Sequence, residues 1–193
     1  MLNLLETIKV DDGEVFNIEY HQKRFDRTRL ELFNSKNSID LLSLLDIPKK
    51  GLFRCRVIYS EDIQSIEYIP YKVKVINSLK VVDSNINYNY KFLNRDELNT
   101  LLSENSKFDE IIIEKSGYLT DTTISNIAFY DDNYKQWFTP ATPLLYGTMR
   151  EKLLNNGFLK SKNIKSSEIS SYKKVALMNA MIGFKIINPK IER

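Results

Sequence analysis

The chain has 193 residues, 42% of them apolar and 27% charged, which suits one globular unit or two small lobes and excludes a disordered chain. Its 28 Lys and Arg nearly balance 25 Asp and Glu, and the basic residues are scattered among acids, so no electrostatic footprint for nucleic acid appears. One cysteine, Cys55, and one histidine, His21, exclude disulfides, zinc fingers and histidine metal cages, so no metal site is expected. No apolar run approaches the roughly 18 residues of a membrane span, and Glu6 interrupts any signal-peptide core, so a cytoplasmic protein with no membrane partner is expected.

Leu4 to Val10 and Glu14 to Ile18 predict a hairpin around Asp11-Asp12-Gly13, where Gly supplies the positive φ. From Glu19 to Phe33 there is no Gly or Pro, and Phe25, Leu32 and Phe33 recur at helical spacing. This predicts a helix that also carries His21, Lys23, Arg24, Arg27 and Arg29. A shorter helix is expected over Ser38 to Leu45, stopping before Pro48, followed by strands over Gly51 to Tyr59 and Gln64 to Ile76. In the first of these strands Arg54, Arg56 and Ile58 share a face. Together these pieces form a small α+β lobe over residues 1–80. The polar, Asn-rich stretch from Asn77 to Tyr90 reads as the connection to a larger β-rich lobe over 81–193.

The second lobe opens with Asn94 as a helix cap and Glu97 three residues on, for a helix through about Ser103. Strands follow at Asp109 to Glu114, Tyr118 to Asp121, Ile124 to Tyr130 and Tyr134 to Thr139. Thr148 and Glu151 form a second capping box, opening a helix that Gly157 closes. A polar helix near Ser166 to Tyr172 and an apolar run from Val175 to Ile187, broken at Asn179 and Gly183, complete the chain.

The glycines are dispersed and build neither a dinucleotide fingerprint nor a P-loop. The Gly147-Thr148-Met149 helix start offers unpaired N–H groups and a hydroxyl suited to a phosphate, although most such starts only cap a helix. Lys91 lies just ahead of the Asn94 cap, where a helix N-terminus and partial burial lower an ammonium pKa and favour a nucleophilic neutral amine. From composition alone a solvated strand-end lysine is the commoner outcome.

The order of these pieces resembles a family, the class IV pyridoxal-phosphate enzymes of fold type IV, from about Leu5 to Ile187. The resemblance rests on Glu6-Thr7-Ile8-Lys9-Val10 before a DG turn, His21-x-x-Arg24, Arg54, and Lys91-x-x-Asn94-Arg95. It continues through Gly117-Tyr118-Leu119-Thr120-Asp121, Ser125-Asn126, Trp137-Phe138-Thr139-Pro140, Leu145-x-Gly147-x-x-Arg150 and Asn179-Ala180. It implies a two-lobed, D-amino acid aminotransferase-like α+β fold that binds pyridoxal 5′-phosphate. Family members usually begin with an extra strand and a Gly-containing loop before the Glu-Thr-Ile segment, which here lies a few residues from Met1, so a shortened first lobe is expected.

Carried over by position, the resemblance makes Lys91 the lysine in Schiff-base linkage to the cofactor and the proton-shuttling base. Arg24 matches the phosphate-binding arginine, and Gly147, Thr148 and Met149 match the backbone phosphate cup. Asp121 stands where the family usually has a Glu that bonds the pyridine nitrogen and keeps it protonated. Arg54 matches an arginine that reaches a substrate carboxylate, with Arg56 as its neighbour in alternation, and Asn179 and Ala180 match the loop beneath the substrate. The family's site lies between lobes and is closed by a second subunit, which implies a homodimer acting on a small amino substrate.

The Lys91-x-x-Asn94-Arg95 segment, with Asp96 where branched-chain enzymes place Tyr, leans toward aminodeoxychorismate lyase, a step of folate biosynthesis. The alternatives are an amino acid transaminase of branched-chain or D-amino acid type, and a non-catalytic binding or dimerisation module.

Overall fold

The structure, a computed structural model, describes residues 2–193. It divides into two compact units, one running to Val73 and including Tyr90–Asn94, the other formed by Lys74–Asn89 and Arg95–Arg193.

The first unit contains β1 (Leu4–Asp11), β2 (Glu14–Val15), α1 (Ile18–Phe33), β3 (Leu52–Tyr59) and β4 (Ile63–Pro70). The strands form one antiparallel sheet in the order β2-β1-β3-β4. Asp12 and Gly13 both have positive φ, 47° and 87°, the backbone of a type I′ hairpin turn whose twist matches the flanking strands. Along β1 the side chains of Leu4, Glu6, Ile8 and Val10 share the inward face and are fully buried. Helix α1 buries His21, Arg24, Phe25, Thr28 and Arg29, a stripe at helical spacing that is largely polar. Phe25 meets Tyr59 edge to face at 4.7 Å.

The helix expected over Ser38 to Leu45 reduces to a single 3₁₀ turn at Leu42–Leu44. The Gln22 side chain competes for that backbone, donating to the Ile39 carbonyl and accepting from the Leu41 N–H. Strand β4 stops at Pro70, short of Ile76, because its partner β3 begins at Leu52 and the last ladder bond is Tyr71 N–H to the Leu52 carbonyl.

The second unit contains β5 (Ser78–Asp83), α2 (Asp96–Glu104), β6 (Glu110–Lys115), β7 (Tyr118–Thr122), β8 (Asn126–Asp131), β9 (Gln136–Pro140), α3 (Thr148–Asn155), β10 (Leu159–Lys162), β11 (Lys174–Asn179), β12 (Gly183–Ile187) and β13 (Lys190–Glu192). These build a nine-stranded sheet, β10-β9-β8-β7-β6-β5-β13, with β11 pairing β8 and β12. Ile111, Ile112 and Ile113 of β6 are all fully buried, the signature of a central strand covered on both faces.

Part of the stretch expected to be a connection is therefore strand β5, pairing in parallel with β6 and β13. Its start is held by the Asp109 carboxylate, which accepts from the N–H groups of Asn77 and Ser78. Helix α2 begins at Asp96 with Arg95, not Asn94, at the cap position, and Arg95 Nη2 donates instead to the Thr123 carbonyl. A 3₁₀ helix at Ser166–Ser171 replaces the polar helix expected there.

Lys91, expected at the head of the second lobe, belongs to the first unit. The Leu5 N–H donates to the Lys91 carbonyl, Leu4 bridges Phe92, and the Leu93 N–H donates to the Asn3 carbonyl, so Tyr90–Asn94 runs along β1. Among the described residues no helix is long and apolar enough to cross a membrane.

Arg29 is 1% exposed and spends its guanidinium on the loops at this end of the first unit. It donates to the carbonyls of Glu61 and Asn37 at 2.6 and 2.9 Å, and to Ser35 Oγ and Asn37 Oδ1 at 3.0 and 2.8 Å. Replacing it by Met leaves several buried acceptors without a donor, so Arg29→Met is expected to cost about 3 kcal/mol in urea unfolding. A loss below about 1 kcal/mol would mean these bonds add little.

Candidate active site

The first unit gathers its ionisable groups on the inward face of β1. Glu6, placed by strand alternation among Leu4, Ile8 and Val10, cannot be buried as an isolated charge and must be paired. Arg24 and His21, one helical turn apart on α1, supply the partners. Arg24 Nε donates to Glu6 Oε1 at 2.7 Å and Nη2 to Oε2 at 2.6 Å, a bidentate fork, while His21 Nδ1 meets Oε2 at 2.6 Å. Burial opposes ionisation of Glu6, but Arg24 and the two hydrogen-bonding side chains outweigh it and hold the carboxyl down at about 2. Arg24 is thus a buried guanidinium oriented by a fixed counter-ion.

Lys91 is half-buried, and its main chain is pinned to Leu5, the residue next to Glu6. Its charge is felt at His21. The arginine and lysine singled out from sequence are therefore brought together on adjacent residues of one strand. On β3, Arg54 and Arg56 share the opposite face, as alternation requires, but differ in commitment. Arg56 pairs with Glu67 across the ladder at 3.0 Å, whereas the Nε of Arg54 is buried without an acceptor. That difference favours Arg54 as the arginine available to a carboxylate.

In the second unit the candidate residues hang on the β7–β8 hairpin. Asp121 lies opposite Asn126, whose amide donates to Asp121 Oδ1 at 2.7 Å and to the Leu145 carbonyl at 2.8 Å. The Leu145 N–H returns to Asp121 Oδ2 at 2.9 Å. Desolvation pushes the Asp121 carboxyl up to about 6, against the pull of these donors and of Arg150. With the Leu144 N–H, which also bonds this carboxyl, three donors still leave lone-pair capacity on its two oxygens for a further one.

Gly147 is the cap position of α3, with an extended backbone and no side-chain cap, so Thr148 starts the helix rather than capping it as the sequence suggested. A Cβ at Gly147 would sit 2.0 Å from Asn126 Oδ1, which explains why no larger residue stands there. The first-turn N–H groups of Thr148 and Met149 have no acceptor within the helix. Asn179 closes the other side of the hairpin, donating to the Ile124 carbonyl and accepting from the N–H groups of Met181 and Ile182, which shapes the turn containing Ala180.

In the sequence Glu6, His21 and Asn126 stand only as motif letters, without roles. The signal for Glu6 was present, since a carboxylate in phase with Leu4, Ile8 and Val10 is a buried charge in need of a cation. Nothing local marks Asn126, whose partners lie 5 and 19 residues away.

Residues 3–188 match the amino-transferase class IV family. The chain is 35% identical, over 95% of its length and 98% of the other, to the crystal structure of a "putative 4-amino-4-deoxychorismate lyase" from Haemophilus somnus 129PT, with a TM-score of 0.83. It is 27% identical over 207 residues, 90% of this chain and 87% of the other, to a Schizosaccharomyces pombe protein named "putative aminodeoxychorismate lyase". A "hypothetical aminotransferase" from Mycobacterium tuberculosis, in its PLP-bound form, shares the fold at 16% identity and a TM-score of 0.77, covering 98% of this chain and 81% of that one. The chain belongs to the amino-transferase class IV family, has the fold-type-IV architecture, and is an enzyme of that class, a lyase or an aminotransferase.

Glu6→Gln removes the counter-ion of a buried arginine, and the protein is expected to be roughly 3 to 5 kcal/mol less stable at neutral pH. Because the carboxyl titrates lower folded than unfolded, its contribution is present above the ordinary carboxylate range and disappears as pH falls toward about 2. Urea unfolding at stepped pH should show this acid limb in the wild type and a flatter profile in the variant. Gly147→Ala, driven against Asn126, is expected to cost about 2 kcal/mol or more in the same measurement, and an unchanged midpoint would contradict the packing.

Proposed function

We propose that the chain is a pyridoxal-phosphate-dependent 4-amino-4-deoxychorismate lyase that works in the cytoplasm as a homodimer. The observation that carries the reading is the buried Glu6–Arg24 pair beside a half-buried lysine hung on the same strand. A guanidinium held by a fixed carboxylate suits a phosphate, and a neighbouring amine suits an aldehyde. The lyase name of the 35% identical Haemophilus somnus protein, together with Asp96 in place of Tyr after the lysine, supports the substrate class.

The donor set of each unit fits pyridoxal phosphate. Arg24 would receive its phosphate, and the first-turn N–H groups of Thr148 and Met149 have the donor chemistry of a phosphate cup. Lys91 Nζ would hold its aldehyde carbon, and the buried Asp121 carboxyl would hold the proton on its ring nitrogen. When bound, the cofactor supplies an electron sink for the carbon next to the substrate nitrogen.

The chain's own groups do the rest. Lys91 Nζ takes the proton from the ring carbon that bears the amine, the bond between the adjacent ring carbon and the ether oxygen breaks so that the ring aromatises to 4-aminobenzoate, and the departing enolpyruvate takes up a proton at its methylene carbon to become pyruvate. Arg54, with its unsatisfied Nε, would orient a substrate carboxylate, and the turn at Asn179 and Ala180 would receive another polar group.

Purified protein given 4-amino-4-deoxychorismate and the cofactor is expected to release 4-aminobenzoate and pyruvate in equal amounts. Amino transfer from a branched-chain or D-amino acid to a 2-oxo acid, with no pyruvate from the chorismate derivative, would overturn the lyase reading in favour of a transaminase. Lys91→Ala should abolish release. Arg24→Ala should weaken cofactor binding by about 2 kcal/mol, roughly 30-fold, in a spectroscopic titration.

A further inference from the structure

His21 is the only histidine in the chain and is fully buried, yet only one of its ring nitrogens has a partner. Nδ1 meets Glu6 Oε2 at 2.6 Å, while Nε2 is buried with no hydrogen-bonding group in reach. The charge state of Glu6 settles which nitrogen carries the proton. An ionised carboxylate only accepts, so the proton must lie on Nδ1. A second proton, on Nε2, would be buried with no acceptor, so the ring is neutral with a bare lone pair there. Its surroundings agree: burial disfavours the cation, and of the charged groups around it Glu6 on β1 favours protonation while Arg24 on α1 and Lys91 on the 90–94 segment oppose it. Tyr59 of β3, which also faces Glu6, is kept neutral by burial.

Oε2 of Glu6 is shared. It accepts from both His21 Nδ1 and Arg24 Nη2, while Oε1 accepts from Arg24 Nε. A carboxylate held by one bidentate guanidinium can still rock about its terminal torsion, because sp³–sp² torsions are broad. A third donor from a different side chain, on the same helix one turn away, removes that freedom. Two of the five guanidinium N–H groups of Arg24 point into Glu6, so the direction of the others follows the carboxylate plane.

We propose that His21 is a positioning residue for phosphate recognition: through Glu6, its neutral, Nδ1-protonated imidazole sets the orientation in which Arg24 meets the phosphate of the cofactor. This rests on the reading of Arg24 as a phosphate ligand. A charged His21 would instead place three cations, His21, Arg24 and Lys91, around one carboxylate. The buried, partnerless Nε2 is the cost of keeping the ring neutral.

The test compares pyridoxal phosphate with pyridoxal. Both carry the aldehyde, so the ratio of their dissociation constants reports the phosphate contribution alone. In the wild type the ratio should strongly favour the phosphorylated form. His21→Phe should reduce that preference at least tenfold, and His21→Asn, whose amide N–H can occupy the place of Nδ1–H, should restore it to within about threefold of the wild type. A merely structural role would lower the melting temperature of His21→Phe and leave the ratio unchanged, which would overturn the proposal. Arg24→Ala separates the two readings. Loss of phosphate preference there but not in His21→Phe sinks the role of His21 and leaves Arg24 standing, whereas an unchanged preference in Arg24→Ala sinks both. An independent readout needs no variant: with a single histidine, ring ¹⁵N shifts of the wild type without cofactor should show a neutral imidazole protonated at Nδ1 at neutral pH. A proton on Nε2, or a charged ring at neutral pH, would overturn it.

Discussion

The structure of the first unit turns on one buried carboxylate. Glu6 faces inward because strand β1 alternates, and a charge in that position is tolerated only when its neighbours neutralise and saturate it. Helix α1 meets the demand with Arg24 and His21, and so its buried stripe is polar where an ordinary amphipathic helix would be apolar. The apolar packing of this unit comes instead from Leu4, Ile8, Val10, Phe25, Val57 and Tyr59 around the cluster. A buried ion pair seldom adds net stability over a well-packed apolar alternative. Its presence here makes more sense as a device that holds a guanidinium in one direction, at the edge of the strand that also pins Lys91.

The second unit solves a different problem with the same logic. Asp121 is a buried carboxyl whose charge is only partly supported, which is why burial moves it upward while the much better paired Glu6 moves downward. Asn126 links Asp121 to the loop that ends at Gly147, and Gly147 is small because Asn126 occupies the space a side chain would need. The acid, the loop and the first turn of α3 are therefore one piece, and the Asn179 turn is fastened to the same hairpin through Ile124. Each unit ties its candidate groups by hydrogen bonds to a strand or hairpin, as holding reacting atoms in register requires.

Much of this was legible in the chain before folding. Alternation located β3, β-rich apolar runs located β6 and β8, the Asp11-Asp12-Gly13 turn located the hairpin that contains β1, and the ordered motifs pointed to the family and its fold. What escaped depends on distant partners. Strand β5 is a short polar-flanked segment whose strand character comes from parallel pairing with β6 and β13, invisible to local alternation. The Ser38–Leu45 segment has helical composition but loses its backbone groups to Gln22. Lys91 was recognised as a residue but assigned to the wrong lobe, because its tie to Leu5 joins positions far apart in sequence. Motif letters marked Glu6, His21 and Asn126 without revealing that they orient the groups beside them.

Every role proposed for this chain depends on Lys91 as the residue that holds the cofactor. The direct measurement is borohydride reduction of the wild-type protein with bound pyridoxal phosphate, followed by peptide mapping of the modified site. A phosphopyridoxyl label confined to Lys91 is the result the account predicts. A protein that stays colourless and unlabelled, or a label on any other lysine, would contradict it.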